Sequence, residues 1–139
     1  MHLLCNYNCF FCFDMKMKLQ LSSLPHTWLL DFDGTLVKHN GYKNGADEWL
    51  PGALEFLRSI PKDDMIIILT ARKEDVRDRT ISFIAESNVR IDSIIFDVPI
   101  GERILVNDAK PSGLDCARAI CVDRDQGLKN FRFVIDEAL

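Results

Sequence analysis

The stretch TWLLDFDG, residues 27–34, decides the fold that this sequence predicts. It is a short apolar run that ends in two aspartates, Asp31 and Asp33, and a glycine. A run of this kind is typical of a buried parallel strand with polar residues at its carboxyl end. We therefore expect a strand here, with the chemistry of the protein at the point where the strand stops.

The residues that follow alternate between strand patterns and helix patterns. Short apolar runs predict further strands at residues 64–70, 93–96, 103–107 and 119–122. The intervening segments predict helices at residues 51–60, 73–87, 112–119 and 127–138. This alternation predicts an α/β fold, a Rossmann-like parallel sheet of about five strands with helices on both faces and no separate cap domain.

The carboxyl edge of the predicted sheet is the expected place for a functional site. Right-handed crossovers put the carboxyl ends of parallel strands on one edge, and ligands of such sheets bind there. The candidates are therefore the polar residues directly after predicted strands, namely Asp31, Asp33, Thr70, Asp97, Asn107 and Asp108.

Composition sets the broad class of the protein. The 139 residues are 47% hydrophobic and 27% charged, which is typical of one globular domain. Residues 1–25 show no clean period, so we expect a poorly ordered extension there and place the domain at residues 26–139. The net charge of −4 argues against a nucleic-acid partner, because no basic stripe is available to meet phosphates.

We expect a cytoplasmic protein, because the sequence shows neither a membrane span nor the pattern of a signal peptide. No apolar run approaches the roughly 18–20 residues that cross a bilayer, so no membrane partner is expected. The positive charges near the start follow the apolar residues, which is the reverse of a signal peptide. Five cysteines, an odd number, fit a reducing compartment better than a disulfide framework.

Three cysteines near the start form a conspicuous motif. Cys5, Cys9 and Cys12 have the spacing C-x3-C-x2-C, which resembles the iron–sulfur motif of radical SAM enzymes. A barrel of the kind that such enzymes need takes about 200 residues or more, and 127 residues follow Cys12. Zinc is another possibility, with His2 or His26 as a fourth ligand. We expect this segment to be dispensable and keep a cysteine-based metal-binding module as an alternative.

Three further motifs resemble those of the haloacid dehalogenase superfamily. LLDFDGTL at 29–36 resembles the first motif, D-x-D-G-T, and IIILTAR at 66–72 resembles the second, an apolar strand that ends in threonine. ILVNDAKPSG at 104–113 resembles the fourth, an apolar strand that ends in acids. The motifs occur in the family's order, and the resemblance covers about residues 27–125. The short segments between them imply a capless member.

The resemblance implies a magnesium-dependent phosphatase. In such an enzyme Asp31 attacks phosphorus and forms an aspartyl-phosphate, while Asp33 protonates the leaving oxygen and then activates water. The implied metal ligands are Asp31, the main-chain carbonyl of Asp33 and Asp108. Asn107 is a further metal residue and stands where the family often has another acid. Its amide can bind or orient the metal shell but supplies no charge, so the metal affinity is expected to be weaker.

Phosphate ligands follow from the second motif. The Thr70 hydroxyl can donate to the phosphoryl group, and the Ala71 amide opens toward a predicted helix N-terminus, which suits an anion. The family's lysine has no counterpart in DVPIGER at 97–103. Arg103 begins the predicted fourth strand, about 16 Å from Asp108 at roughly 3.3 Å per residue, so we expect it to lie away from the site. Lys110 is the preferred cation and Arg72 the second choice.

The expected function is hydrolysis of a small phosphomonoester. Small capless relatives with an ND-x-K-P ending look like phosphatases of surface-polysaccharide sugars, so a sugar phosphate is the leading substrate class. An open site needs a large substrate or a neighbouring subunit, which makes a homo-oligomer possible. The alternative is a catalytically weak phosphate-binding or scaffold protein of the same fold, given Asn107 and the missing lysine.

Overall fold

The computed structural model describes residues 17–139. In this part of the chain the strands are β1 (Met17–Leu21), β2 (Thr27–Asp31), β3 (Met65–Leu69), β4 (Ser93–Ile95) and β5 (Phe131–Ile135). The helices are α1 (Ala53–Ser59) and α2 (Arg77–Glu86), with short 3-10 turns at Gly41–Lys43 and Glu74–Val76. The cysteine motif at residues 5–12 lies outside the described residues.

The strands are parallel but form two sheets instead of one. One sheet has the order β2-β3-β4, with Asp31 opposite Leu69 and Leu69 opposite Ile95. The other consists of β1 and β5, with Met17 opposite Phe131. The prediction of an α/β fold with parallel strands is confirmed. The prediction of a single five-stranded sheet with helices on both faces is wrong.

One hydrophobic core joins the two sheets and the two helices. It combines side chains of β2, β3, α1 and α2, including Trp28, Ile66, Ile68, Phe56 and Ile84. The β1–β5 sheet packs against it, because the ring of Phe133 lies 5.0 Å from Trp28 and that of Phe131 lies 5.3 Å from Phe56. The other face of the three-stranded sheet stays open, with exposed apolar residues at Leu29, Met65 and Ile95.

The predicted fourth strand at 103–107 is absent from the structure. Ile104 is 85% exposed and Val106 is 89% exposed, so this apolar run is not packed against a face of the sheet. Without a partner strand its backbone gains no ladder hydrogen bonds. The expectation that residues 103–107 extend the sheet is therefore wrong.

The predicted elements after residue 110 also differ from the structure. Neither the helix at 112–119 nor the strand at 119–122 forms. A turn interrupts the helix pattern, since Gly113 has φ +91° and its amide donates to the carbonyl of Lys110. The closing helix predicted at 127–138 is instead β5. Its aromatic and β-branched residues favour a strand, and β1 supplies the partner.

β1 itself lies in the segment that the sequence analysis placed in a poorly ordered extension. Its five residues pair with β5 from Met17 to Leu21. In residues 17–139 no helix combines the length and the apolar character that a membrane span requires.

Candidate active site

The carboxyl ends of three strands meet at one edge of the sheet. Asp31 is the last residue of β2 and lies opposite Leu69, so Thr70 follows at the same level. The amide of Thr70 donates to the carbonyl of Ile95 at 3.0 Å, which joins the end of β4 to this edge. The structure therefore brings Asp31 and Thr70 to the edge where the sequence predicts a site.

A tight turn follows Asp31. The carbonyl of Phe32 accepts from the amides of Thr35, Leu36 and Val37, and the Phe32 side chain is fully buried. Gly34 adopts φ +86°, and a Cβ here would lie 3.2 Å from Cγ of Arg124. A side chain at position 34 would therefore be strained by its backbone and crowded by its neighbour. The turn keeps Asp33 at the same edge as Asp31.

Asp31 presents an exposed carboxylate. Its side chain is 47% exposed and accepts a hydrogen bond from the Thr35 hydroxyl at 2.9 Å. Nη2 of Arg103 lies 3.8 Å from Oδ1 of Asp31. The expectation that Arg103 lies away from the site is wrong. Residue 103 is in an irregular segment and not in a strand, and the Arg103 side chain reaches back to the end of β2.

Asp33 is held by Arg72. The guanidinium donates two parallel hydrogen bonds, from Nε to Oδ2 at 2.9 Å and from Nη2 to Oδ1 at 2.8 Å. It also donates to Asp47, from Nη1 at 2.9 Å and from Nη2 at 2.6 Å, and to the Thr80 hydroxyl at 3.0 Å. These bonds engage all five N–H groups of the guanidinium. In this arrangement Arg72 has no donor left for a phosphate.

Aromatic rings and burial complete the setting of Arg72. Its side chain is 1% exposed, and its guanidinium carbon lies 4.7 Å from the ring centre of Phe32 and 4.1 Å from that of Tyr42. Burial alone would lower the pKa of Arg72, but the hydrogen bonds and charges of Asp47 and Asp33 raise it above its ordinary value. Arg72 is therefore a permanent cation between two carboxylates.

Asp47 is the site residue that sequence reasoning missed. It lies in the loop between the first two motifs, where an acidic residue looks solvated, yet its side chain is almost fully buried. Its pairing with Arg72 depends on the folded path of the loop, and no local pattern marks it.

Thr70 and Ala71 lie between the strand end and the next helix. Thr70 is buried, its hydroxyl oxygen accepts from the Arg72 amide at 3.2 Å, and its carbonyl accepts from Val98 at 3.1 Å. Thr70 is 1% exposed, so its hydroxyl is covered in this arrangement. Ala71 is half-buried. The proposed contacts of both residues with phosphate stay predictions.

Asp97 belongs to the surface of this edge. It has φ +57°, its amide donates to the Arg72 carbonyl at 2.8 Å, and its carboxylate pairs with Lys73. The hydrogen bond with Asp97 raises the pKa of Lys73. Both side chains are exposed, so this pair is worth little for stability.

The residues of the fourth motif are exposed. Asn107 donates through its side-chain amide to the carbonyl of Asp108, and the Lys110 amide donates to Leu114, all within the same segment. In residues 17–139 no three acidic, histidine or cysteine side chains form a group that could hold a metal ion. The structure therefore does not assemble Asp31, Asp33 and Asp108 into the implied metal site.

The oxygen atoms at the ends of the strands are of the type that magnesium binds. Magnesium binds one or two carboxylates and takes its other ligands from phosphate oxygens and water. Asp31 supplies one exposed carboxylate, whereas both oxygens of Asp33 are engaged by Arg72. Only the main-chain carbonyl of Asp33 is then a candidate ligand from that residue.

A cavity of about 420 Å³ lies elsewhere, between α1 and residues 128–131. Its lining includes Gly52, Phe56, Leu128 and Phe131, and none of the strand-end residues. This cavity is therefore separate from the candidate site.

Comparisons with protein-family models, curated proteins and solved structures find no match to this chain. The resemblance to the haloacid dehalogenase superfamily remains a prediction from the motifs.

Proposed function

We propose that this protein is a magnesium-dependent phosphomonoester hydrolase that forms an aspartyl-phosphate on Asp31. The observation that carries the proposal is the exposed carboxylate of Asp31 at the carboxyl end of β2, with Asp33 held in a fixed orientation two residues later. A free nucleophile beside an oriented second carboxylate is the pairing that a two-step hydrolysis requires.

The proposed hydrolysis has two steps. An oxygen of Asp31 attacks phosphorus, the bond to the leaving oxygen breaks, and the Asp33 carboxyl gives that oxygen its proton, so an alcohol leaves. Water then attacks phosphorus and gives a proton to Asp33, the bond between Asp31 and phosphorus breaks, and phosphate leaves. Asp31 is again a carboxylate and Asp33 again carries its proton.

Magnesium, when bound, would neutralise the charge of a phosphate that faces several carboxylates. The residues proposed to hold it are Asp31, the carbonyl of Asp33, and Asp108 with Asn107. Asp108 and Lys110 belong to the exposed segment 103–110, so this segment must approach the end of β2 for either residue to take part. The apolar side chains of this segment are exposed, which is consistent with a movement during turnover that buries them.

The proposed substrate is a small phosphorylated metabolite, and a sugar phosphate is the leading class. The exposed carboxylate of Asp31 is accessible to a phosphate ester, and the choice of a sugar phosphate rests on the resemblance alone. The proposed setting is the cytoplasm, with no nucleic acid or membrane as partner, and a second subunit is a possible cover for the open edge.

The decisive experiment is rapid quenching with a radiolabelled aryl phosphate. Asp31→Asn should abolish both phosphate release and the acid-stable labelled enzyme. Asp33→Asn should retard the second step more than the first with a good leaving group, so labelled intermediate should accumulate. Wild-type turnover by Asp31→Asn, or label on another residue, would contradict the covalent mechanism.

A catalytically weak phosphate-binding or scaffold protein is the second candidate. The observation that favours it is the exposed position of Asp108, which leaves the implied metal ligands apart in the described residues. Calorimetric titration with inorganic phosphate, beside an assay of 4-nitrophenyl phosphate with magnesium, separates the two functions. Binding without turnover supports the scaffold.

A further inference from the structure

We infer that Arg72 and Asp47 are positioning residues for Asp33, and that they tie its orientation to the flap, which we define as residues 36–50. The inference rests on the proposed function, because it gives Asp33 the acid–base role. It adds Asp47 and a dependence on the flap, neither of which the motifs contain.

The orientation of Asp33 is fixed by a fork of two hydrogen bonds. A carboxylate on a short side chain rotates freely unless both oxygens are held, and Arg72 holds both, at 2.8 and 2.9 Å. The fork occupies two of about four lone-pair positions. The side chain of Asp33 is 17% exposed, so its outer edge remains open to a substrate oxygen or a water.

Arg72 is in turn fixed by the flap and by α2. The arms of the flap are joined by hydrogen bonds from Lys38 to the Glu48 carbonyl and from Leu50 to the Leu36 carbonyl, both at 2.9 Å. Asp47, at the end of its loop, accepts two hydrogen bonds from the guanidinium.

Two further contacts hold Arg72. Together with Asp47 they form what we call the clamp, the set of residues that fixes Arg72 and through it Asp33. Tyr42 in the flap stacks on the guanidinium of Arg72 at 4.1 Å. Thr80 in α2 accepts from Arg72 and donates to the Val76 carbonyl at 2.8 Å. Displacement of the flap would therefore move Arg72, and Asp33 with it.

Negative charge exceeds positive charge in this cluster. One guanidinium faces two carboxylates, so the net charge is −1 when both aspartates are ionised. Asp47 shares the positive charge that would otherwise be devoted to Asp33. The clamp thus orients Asp33 without providing a full counter-charge for it.

The test compares two buried carboxylates. Asp47→Asn replaces one carboxylate oxygen by an NH2 group, which opposes a guanidinium donor. Asp64→Asn is the matched control, because Asp64 is equally buried but pairs with His26 at the other end of the strands. The kcat of each folded protein is measured with 4-nitrophenyl phosphate and with phenyl phosphate. Departure of the leaving oxygen depends more on protonation for phenyl phosphate than for 4-nitrophenyl phosphate.

We expect Asp47→Asn to lower kcat for phenyl phosphate at least about tenfold more than kcat for 4-nitrophenyl phosphate, a part of the 10²–10⁴ that general acid–base catalysis contributes. Asp64→Asn should lower stability and leave the ratio of the two rates unchanged. A purely structural role for Asp47 would lower both rates equally, and that result would overturn the inference while the proposed function stands.

A second pair of variants applies if Asp47→Asn does not fold. Tyr42 lies in a short 3-10 turn of the flap, so Tyr42→Leu removes the stacked ring at little cost to the core. We expect the same selective loss with phenyl phosphate, and a smaller loss for Tyr42→Phe, which keeps the ring. Equal losses for the two substrates overturn the inference. A wild type that releases no phosphate from either substrate overturns the proposed function and the inference together.

Discussion

The guanidinium of Arg103 lies 3.8 Å from Oδ1 of Asp31. It also donates hydrogen bonds to the carbonyls of Pro99 and Gly101, both at 2.9 Å, which hold it on its own loop. Both side chains of the pair are more than one-third exposed, so it contributes little to stability. A cation beside the proposed nucleophile is nevertheless well placed to meet the charge of a phosphoryl group.

Arg103→Ala should therefore lower kcat/KM for aryl phosphates by about 10²-fold, the order expected when one electrostatic donor is removed. Lys110→Ala is the comparison, because the sequence pattern favours Lys110 for this role but the structure places it on an exposed turn. Steady-state kinetics at saturating magnesium decide between them. A larger effect of Lys110→Ala would show that Lys110, and not Arg103, meets the charge of the phosphoryl group once segment 103–110 approaches the end of β2.

Asp108→Asn should raise the magnesium concentration for half-maximal rate at least about tenfold, as expected when a metal ligand or its support is lost. The reason is that Asp108 is the carboxylate implied beside Asp31. Asp115→Asn, on an exposed stretch nearby, is the control for a simple change of charge. An unchanged magnesium dependence in Asp108→Asn would remove Asp108 from the metal site.

Asp64→Asn should lower the free energy of unfolding by about 1–3 kcal/mol at pH 7, because a buried donor loses its acceptor. Asp64 accepts from the Trp28 indole at 2.9 Å and from the His26 amide at 3.0 Å, through different oxygens. The single carbonyl of Asn satisfies only one of them. Urea unfolding of both proteins measures the difference.

The stabilisation that Asp64 provides depends on pH. Burial alone would raise the pKa of Asp64, but the hydrogen bonds from Trp28 and His26 lower it below its ordinary value of 3.8. The folded state therefore binds this proton less readily than the unfolded state. Its stabilisation is full above about pH 4 and is lost as the pH falls through the folded pKa. The gap between wild type and Asp64→Asn should shrink in that range, and a constant gap down to about pH 2 would refute this assignment.

A chain that begins at Met17 should fold and keep its activity, whereas one that begins at Ser22 should be destabilised. The shorter chain lacks β1, so β5 is unpaired in the described structure and the core loses the side chains of Leu19 and Leu21. Loss of these partly buried side chains costs roughly 2 kcal/mol, which corresponds to at least about 6 °C in Tm. Equal melting temperatures for the two chains would mean that β1 contributes nothing to the fold.

The elements between residues 27 and 96 could be predicted because their local patterns agree with their surroundings. β2, β3, β4, α1 and α2 each lie within a few residues of the predicted position. Residues 128, 131 and 135 have helical spacing, but residues 131, 133 and 135 also alternate as in a strand. The partner β1 and the ring of Trp28 decide in favour of the strand, and neither is visible in the local pattern.

The site was predictable to the extent that it lies on strand ends. Asp31 and Thr70 follow directly from the parallel register. Asp47 and Arg103 reach the edge through irregular segments, so their positions depend on tertiary contacts that spacing does not encode. The sequence also marks Arg72 as a candidate phosphate ligand. The structure shows that all five of its N–H groups are engaged by protein acceptors, so Arg72 holds Asp33 instead.

The pairing of β1 with β5 has a consequence for synthesis of the chain. Met17 and Phe131 are opposite each other, so this sheet closes only after almost all the described residues have left the ribosome. Until then β1 presents an unpaired edge to which other chains can bind. Contacts between residues so distant in sequence also form slowly. Of the strands described, β1 is synthesised before the others but is among the last to be secured, and its protection against aggregation depends on the arrival of β5.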